Sequence, residues 1–390
     1  MTRRLAIVMQ DPANYGGVLR LAEYIYHRAE AAGLTPTLVH YGRFRDHGEL
    51  HASVMNLARG ELNFTLSSKR YSFRGLRAFA IGAFLPEWEP NRLHANHEWR
   101  KALSQEFDAF LLVTGSAQTG LPLAECGKDF TAWVSSTVET DRHARLATGS
   151  AEHVVERLGM PSVLRAEKKV LQSAGRVLAV SEDAKQHLAP LAETPVEVWP
   201  YPVDTTKFTP TPNHESPAEH RFLFVGRAND PRKRVELFLA ACEELAREHP
   251  DLDFEGTIVS TELDVRNPPG FTLEHVARAR EAELIELFRS STALLLTSEQ
   301  EGLGIAAMEA MACGTPVIST RCGGPETLIE DGVSGMFVEP SATKFAGRMY
   351  ELASNPPIRA ALARAASERI ATSFSEAVWN PRFENLLRAL

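Results

Sequence analysis

The sequence SEQEGLGIAAMEAMACGTPVIST occupies residues 298–320 and directly follows the apolar run ALLLT. A short apolar run of this kind is typical of a buried strand in a parallel sheet, and the small and apolar residues after Gly304 predict a helix. Gly302 and Gly304 would let the backbone approach a ligand closely at the carboxyl end of that strand, where ligands bind in such sheets. The stretch therefore predicts a strand, a ligand-binding turn and a helix.

Two glutamates, Glu301 and Glu309, flank the start of this predicted helix. If both were helical, eight residues would separate them by about 12 Å along the axis. Retaining glycosidases hold their two carboxyl groups about 5–5.5 Å apart, and inverting ones about 6.5–9.5 Å apart. The spacing disfavours a hydrolase with an acid–base pair, and it favours two carboxylates that bind opposite ends of one extended polar ligand. A tightly packed turn with an incidental acidic end is the alternative.

The rest of the chain repeats the alternation of short apolar strands with longer amphipathic segments. A chain of 390 residues is longer than a single hydrophobic core usually accommodates. A stretch with five prolines at 199–220 predicts a linker between two halves. We expect an α/β protein of two Rossmann-like, doubly wound parallel-sheet domains facing across a cleft, residues 1–200 and 201–375. The final amphipathic segment, about 376–390, is predicted to be broken at Pro381 and to pack back on the first domain. Strands are expected at 4–9, 35–42, 109–115, 131–136, 176–181 and 221–227, and helices at 18–32, 233–248, 281–290 and 304–313.

Composition excludes several classes of protein. The formal net charge of −8 argues against a nucleic-acid partner, since such proteins carry a basic footprint. No run of about 18 apolar residues is present to span a membrane. The four cysteines, at 126, 242, 313 and 322, lack metal-ligand spacing, so we expect a reducing, cytoplasmic location.

A second candidate site is GRANDPRKR, residues 226–234, where a strand passes into a helix. Arg227 and Lys233 would lie on the same sheet edge as Glu301. A guanidinium and an ammonium that converge there suit a diphosphate. Arg232 and Arg234 are interpreted instead as the solvated start of a helix.

A third candidate is NYGGVLRLAEYI, residues 14–25, in which Gly16 and Gly17 open a helix after the first strand. Their N–H groups could bind a phosphate or an acceptor oxygen. The pair is neither a dinucleotide fingerprint nor the lysine-bearing phosphate loop of NTPases, and a simple turn is the alternative.

Taken together, EGLGIAAMEAMACGTPVIST with the following Gly323, Gly324, Glu326 and Gly335, the Gly226-Arg227 pair and Lys233 resemble the retaining nucleotide-sugar glycosyltransferases of family 4. The resemblance implies the GT-B fold and the transfer of a hexose-type sugar from a nucleoside diphosphate sugar, with no cofactor and no metal. It implies that Arg227 and Lys233 bind the diphosphate, that Glu301 binds hydroxyls of the donor sugar and that Glu309 binds the ribose. The remaining implied donor-binding residues are Gly16, Gly17, Gly226, Gly302, Leu303, Gly304 and Ile305.

The acceptor is expected on the N-terminal domain, where segments 43–101 and 115–145 are least regular. Family members often carry a histidine after an N-domain strand, and the matching segment here offers Thr137, Glu139, Asp141 and His143 without assigning the role to one of them. The acceptor could be a carbohydrate, a small molecule or a lipid-linked sugar. Segment 43–101 has ten Lys and Arg residues against six Asp and Glu, which leaves a weak peripheral contact with anionic lipid open beside a simple solvated surface. A nucleotide-sugar epimerase and a non-catalytic nucleotide-sugar binding protein are the alternative functions.

Overall fold

The computed structural model divides into two compact units. Unit 1 comprises residues 1–199 and 381–390, and unit 2 comprises residues 200–380. The structure describes residues 2–12, 16–42, 47–53, 66–86, 88–147, 154–211, 220–261 and 270–390. Parts of the predicted linker (212–219) and of the irregular segment 43–101 (43–46, 54–65 and 87) thus lie outside the described residues.

Unit 1 contains an eight-stranded sheet with the order β3-β4-β2-β1-β5-β6-β7-β8. The strands are β1 (Arg4–Met9), β2 (Thr35–Tyr41), β3 (Ser68–Phe73), β4 (Leu76–Ile81), β5 (Ala109–Thr114), β6 (Thr131–Val134), β7 (Arg176–Ala179) and β8 (Val196–Val198). Its described helices are Gly17–Ala31, Glu89–Leu93, His97–Gln105, Leu121–Glu125, Val138–Ala147, Val154–Ser173 and Glu182–Leu188, with 3₁₀ turns at Gly48–Leu50 and Ala117–Gly120.

The sheet of unit 1 forms where the sequence has continuous apolar runs. Strand β1 pairs in parallel with β2 and with β5, and all six residues of β5 are buried, as expected for a sheet covered on both faces. Strand β3 differs from the predicted parallel arrangement because it pairs antiparallel with β4. The cause is the tight connection through Arg74 and Gly75, which both have positive φ (51° and 85°), the conformation that a two-residue hairpin requires.

Unit 2 contains a six-stranded sheet with the order β11-β10-β9-β12-β13-β14, and each pairing between these strands is parallel. The strands are β9 (His220–Val225), β10 (Phe254–Val259), β11 (Thr272–Val276), β12 (Ala293–Leu296), β13 (Val317–Ser319) and β14 (Met336–Phe337). Its helices are Val235–Glu248, Glu281–Ser290, Ile305–Ala312, Pro325–Leu328, Ala342–Ser354 and Pro356–Ser373, and Pro231–Lys233 forms a 3₁₀ turn.

The core of unit 2 lies between β9 and the helices that cover it. Phe222 packs edge-on against Phe254 with ring centroids 5.8 Å apart, and Phe238 packs against Phe224 at 5.7 Å. The helix that carries Phe238 begins at Val235 rather than at the predicted residue 233. Residues 231–233 form a separate 3₁₀ turn, since the left-handed conformation of Arg234 (φ 47°) interrupts the α-helical path between this turn and Val235.

The last helix, Glu376–Ala389, runs through Pro381 without a break, so the predicted interruption at this residue is wrong. Proline in a helix removes one backbone hydrogen bond and costs about 3 kcal/mol. Apolar packing offsets that cost, because Phe383 is fully buried with its ring 5.1 Å from Tyr24 and 5.2 Å from Trp133. Within the described ranges, no helix has the length and apolar character needed to cross a membrane.

Candidate active site

Two loops meet at the carboxyl edge of the sheet in unit 2. They leave strands β9 and β12, which are neighbours in the sheet with Phe222 opposite Ala293 and Leu223 opposite Leu294. The first loop begins at Gly226, whose N–H donates to the carbonyl of Val259 on the other side of β9 (3.1 Å). Because parallel neighbours end at the same edge, residues far apart in the sequence come into contact here.

Backbone and side-chain hydrogen bonds join the two loops. The Thr297 hydroxyl donates to the carbonyl of Lys233 (2.8 Å), and the N–H of Glu299 donates to the carbonyl of Arg232 (2.7 Å). An ion pair between Arg234 and the Glu299 carboxylate (3.0 Å) lies beside them. These links fix the position of the lysine-bearing turn relative to the glutamate-bearing turn.

Lys233 and Glu301 form the central contact of the site. The Lys233 Nζ atom lies 2.6 Å from Glu301 Oε1, and the Ser298 hydroxyl donates to the same oxygen (2.7 Å). The side chains of Lys233 and Glu301 are only 20% and 11% exposed. The structure therefore brings together two of the three predicted catalytic side chains, and Ser298, which the sequence analysis did not single out, joins them.

Asp230 organises the arginines of the first loop. Its carboxylate accepts from Arg227 Nη2 (2.7 Å) and from Arg232 Nη2 (2.8 Å), and its Oδ1 also accepts from the Arg232 backbone N–H (3.1 Å). Burial raises the pKa of Asp230, but the hydrogen bond and charge of Arg232, together with the charge of Arg227, outweigh burial and hold that pKa below its ordinary value. The side chain of Arg227 is 58% exposed, so its guanidinium remains accessible to a ligand.

The interpretation of Arg232 and Arg234 as a solvated helix start is wrong. The side chains are 16% and 30% exposed, and each is paired with a carboxylate. Sequence alone missed this pairing because the acid that binds Arg234 lies on the other loop, 65 residues later in the chain. The Asp230-Pro231 pair could have indicated the role of Asp230 in this turn, since aspartate before proline commonly caps a turn.

The turn after Glu301 is held against the segment that follows β13. The N–H of Glu301 donates to the Cys322 carbonyl (2.8 Å), and the N–H of Gly324 donates to the Glu301 carbonyl (2.9 Å). A Cβ on Gly324 would lie 2.3 Å from the Leu303 Cα atom, so only glycine fits. Gly304 has φ 87°, a left-handed conformation that favours glycine, and the helix begins at the next residue, Ile305.

The start of helix Ile305–Ala312 therefore lies directly beside Glu301, with Gly302 and Leu303 between them. The first N–H groups of a helix have no partner within the helix, and its dipole favours an anion there. Glu309 lies about 6 Å further along the axis and is buried, whereas Glu301 precedes the helix. The separation estimated for two helical glutamates therefore does not apply.

In unit 1, Gly16 precedes helix Gly17–Ala31 and accepts from the Arg20 N–H (3.3 Å). Gly16 is extended (φ 162°), and a Cβ there would meet no atom within 4 Å, so backbone geometry does not demand glycine at this position. Thr137 is buried at the end of β6, where its hydroxyl lies 3.0 Å from that of Thr140.

The other three predicted acceptor residues lie on helix Val138–Ala147. The side chains of Glu139 and His143 are exposed, and that of Asp141 is partly buried. The structure thus places Thr137 at the carboxyl edge of the unit-1 sheet and distributes Glu139, Asp141 and His143 along the helix that follows.

Glu167 is a buried acid that the sequence analysis missed. Its Oε1 accepts from the N–H of Val138 (2.8 Å) and from that of Ala117 (3.4 Å), so one carboxyl group holds the loops after β5 and β6 together. Burial raises its pKa to about 7, against the opposing effect of those two N–H groups. The basic residues beside it in the sequence, Lys168 and Lys169, made it look like an ordinary exposed helix position.

Potential metal ligands do not gather in the described residues: no group of three or more His, Cys, Asp or Glu side chains there is arranged to hold an ion. The chain has an Asp-x-Asp triplet, Asp251-Leu252-Asp253, which directly precedes β10. That is the amino end of the strand, opposite the edge that carries Lys233 and Glu301.

The lysine-bearing and glutamate-bearing loops both fall within a recognised family. Residues 219–355 match the family described as glycosyl transferases group 1. This segment of the chain belongs to that family. The match confirms the predicted resemblance to the family-4 glycosyltransferases and includes each predicted site residue of unit 2.

Similarities to known proteins reach beyond residues 219–355, and those to solved structures show the fold. A D-inositol 3-phosphate glycosyltransferase from Frankia alni is 30% identical over 269 residues, which are 61% of this chain and 65% of that protein, so the chain spans slightly less than two thirds of its relative. Sucrose-phosphate synthase from Thermosynechococcus elongatus has a TM-score of 0.75 at 17% identity, with 99% of this chain and 98% of that chain covered. HepE from Anabaena, solved in complex with UDP-glucose, has a TM-score of 0.69 at 14% identity, with 99% and 100% covered. The predicted GT-B class, with two α/β sheets, is confirmed.

Proposed function

We propose that this protein is a retaining glycosyltransferase that moves a hexose-type sugar from a nucleoside diphosphate sugar to an acceptor. One observation carries the proposal: Lys233 and Glu301 come from loops of adjacent strands and meet at 2.6 Å on the carboxyl edge of the unit-2 sheet. Cation and carboxylate thus stand side by side where a ligand with a phosphate and a sugar hydroxyl would bind. The family of residues 219–355 supports the same assignment.

In this proposal the donor binds to unit 2, which corresponds to the predicted C-terminal domain (residues 201–375). Arg227 and Lys233 bind the diphosphate and stabilise the negative charge that develops as the nucleoside diphosphate leaves. The N–H groups of Gly302 to Ile305 add the positive end of a short helix, and Glu301 accepts from hydroxyls of the sugar. Glu309 binds the ribose. Side-chain and backbone charge would then replace a metal ion.

The acceptor is assigned to unit 1, which corresponds to the predicted N-terminal domain (residues 1–200). Within it, the acceptor would bind near the loops that follow β5 and β6. Glu167 fixes these two loops relative to each other, and Thr137 stands at the end of β6. The Frankia alni relative is named for a phosphorylated polyol acceptor, and a phosphorylated sugar or polyol is therefore the first acceptor class to test here, beside lipid-linked sugars.

A donor screen tests the proposal. Purified protein is incubated with UDP-, GDP-, ADP- or dTDP-glucose, and thermal shift and release of nucleoside diphosphate are followed; UDP-glucose comes first because HepE was solved with it. We expect one base to raise the melting temperature, and we expect Lys233→Ala to remove both that shift and turnover. Lys344→Ala changes an exposed lysine of helix Ala342–Ser354 and serves as the matched control.

Each outcome of the screen has a defined meaning. Full activity in Lys233→Ala would contradict the phosphate assignment. Isomerised sugar from donor alone would indicate an epimerase, and tight donor binding without transfer across a panel of phosphorylated and lipid-linked acceptors would indicate a binding protein. Retention is read from the anomeric configuration of the product by NMR.

A further inference from the structure

The outward side of helix Val154–Ser173 in unit 1 is unusually apolar. Large hydrophobic side chains with substantial exposure number eight in the described chain, and four of them lie on this one helix with exposures of 39–68%. Single exposed hydrophobic residues are ordinary, but a group on one element marks an interaction surface. The four are Val154, Val155, Leu158 and Leu164.

Basic side chains lie among these aliphatic ones. The exposed residues of the helix include four cations and no acid, in a chain whose net charge is −8. The two acids of the helix are turned away from solvent: Glu156 pairs with Arg142 (3.3 Å), and Glu167 is buried. The four cations are Arg157, Arg165, Lys168 and Lys169.

Helical periodicity collects these residues on one side. Leu158 and Arg165 are seven residues apart and therefore nearly aligned, whereas Val163 and Val170 are buried on the opposite side. The guanidinium of Arg165 donates to the Pro161 carbonyl (2.9 Å), a neutral acceptor that leaves its charge uncompensated. The result is an aliphatic and cationic face, here called the α154–173 face.

We propose that the α154–173 face docks the protein on a lipid bilayer that contains anionic phospholipid. Aliphatic side chains would enter the boundary between headgroups and acyl chains, while the long basic side chains reach lipid phosphates from the same face. Each cation near an anionic surface strengthens binding, and salt weakens the attraction.

Lipid fits this face better than the other occupants. Lys169 pairs with Glu125 (3.7 Å), but a second copy of the chain would still bring Arg165 and Lys168 close to the same cations of its partner across a two-fold interface. Protein interfaces are enriched in aromatic residues at their centre, but the exposed hydrophobic residues of this helix are all aliphatic. Nucleic acid would leave Leu158, which is 68% exposed, without an apolar partner.

The position of the face agrees with a membrane-bound substrate. The helix connects the region after β6 to the start of β7, so its amino-terminal end, with Val154 and Leu158, lies towards the carboxyl edge of the sheet. That is the edge to which the acceptor is assigned above. The docking surface itself does not depend on the transferase assignment, since it is tested without substrate.

The test is co-sedimentation with vesicles of phosphatidylcholine alone and of phosphatidylcholine with one third phosphatidylglycerol. We expect the full chain to bind only the anionic vesicles and to dissociate as salt is raised. Arg165→Gln with Lys168→Gln should weaken binding about 25-fold, from about fivefold for each cation. Leu158→Ser should weaken it as well, because an inserted apolar side chain is lost.

The matched control variants change exposed residues of unit 2. Arg247→Gln with Lys344→Gln controls for the loss of two positive charges, and Val333→Ser controls for the loss of one exposed apolar side chain. Melting curves check that each variant is folded, and the salt titration of the unmodified protein needs no variant. The proposal is overturned if neither vesicle is bound, if both are bound equally or if the controls weaken binding as much as the test variants. It is also overturned if Leu158→Ser leaves vesicle binding intact and instead abolishes a dimer in sedimentation velocity.

Discussion

Replacing both partners of the Lys233–Glu301 pair, singly and together, separates its structural role from its functional one. The contact is 2.6 Å long, and the two side chains are 20% and 11% exposed, which places the pair between a surface and a fully buried ion pair. Exposed pairs contribute about 0.2–1 kcal/mol, whereas breaking a buried pair costs about 3–5 kcal/mol. We therefore expect Lys233→Met to lower the free energy of unfolding of unit 2 by about 2 kcal/mol.

Glu301→Gln should cost less, about 1 kcal/mol, because the amide oxygen still accepts from the Ser298 hydroxyl and from the Lys233 ammonium. The double variant should cost about 1 kcal/mol less than the sum of the two single variants, since the ion pair is lost only once. Urea unfolding followed by circular dichroism measures these differences. For a unit of this size, 1 kcal/mol corresponds to a shift of about 2–4 °C in the melting temperature.

Binding of the free nucleoside diphosphate gives the functional half of the same cycle. In the structure Glu301 holds the Lys233 ammonium that is proposed to bind the diphosphate, so the two anions would compete for it. Glu301→Gln should therefore bind the free nucleoside diphosphate at least as tightly as the unmodified protein, yet turn over the nucleotide sugar poorly. Lys233→Met should weaken both nucleoside diphosphate binding and turnover. The double variant should not recover activity, although its loss of stability should be about 1 kcal/mol smaller than the sum of the two single losses.

Two results would refute this reasoning. A coupling below about 0.3–0.5 kcal/mol would show that the pair contributes nothing beyond two independent side chains. Weaker binding of the nucleoside diphosphate in Glu301→Gln would show that Glu301 does not compete with the phosphates. Lys344→Met, at an exposed position of the same unit, controls for the loss of one positive charge.

The remaining predictions concern the loops that support the site. Asp230→Asn should lower kcat/KM for the donor about tenfold, because Arg227 loses the carboxylate that orients it towards the diphosphate and its developing charge; an unchanged kcat/KM by steady-state kinetics would contradict this. Gly324→Ala should lower the free energy of unfolding by about 1–3 kcal/mol through overpacking, whereas Gly347→Ala, in open space on a helix, should raise it by about 0.5–1 kcal/mol; chemical denaturation compares them. The pKa of Glu167 is raised in the folded state to about 7, so its stabilising contribution is complete below the unfolded value near 4.5 and is lost as pH rises through 7, about 3 kcal/mol in all. Glu167→Gln should flatten the dependence of stability on pH between these values, and a variant that keeps the slope would assign it to another group.

Several features of the fold follow from the sequence because they are local. Continuous apolar runs such as RLAIVM and AFLLVT predict buried parallel strands, and both form. The glycines around residue 304 predict the turn before the helix, since only a residue without Cβ readily takes its left-handed conformation. The prediction at Pro381 was wrong because the local cost of proline is outweighed when Phe383 packs against Tyr24 and Trp133, which lie far away in the sequence.

The pair of α/β halves, the family of residues 219–355 and the residue types at the proposed donor site can all be read from the amino-acid sequence. The partners of those residues depend on the three-dimensional fold. Lys233 meets Glu301 because β9 and β12 are adjacent strands, and this adjacency depends on sheet order rather than on the sequence separation of 68 between the two residues. Arg234 is paired for the same reason, because its acid, Glu299, lies on the second loop. Charges separated in sequence become neighbours only when the parallel strands that carry them end at the same edge.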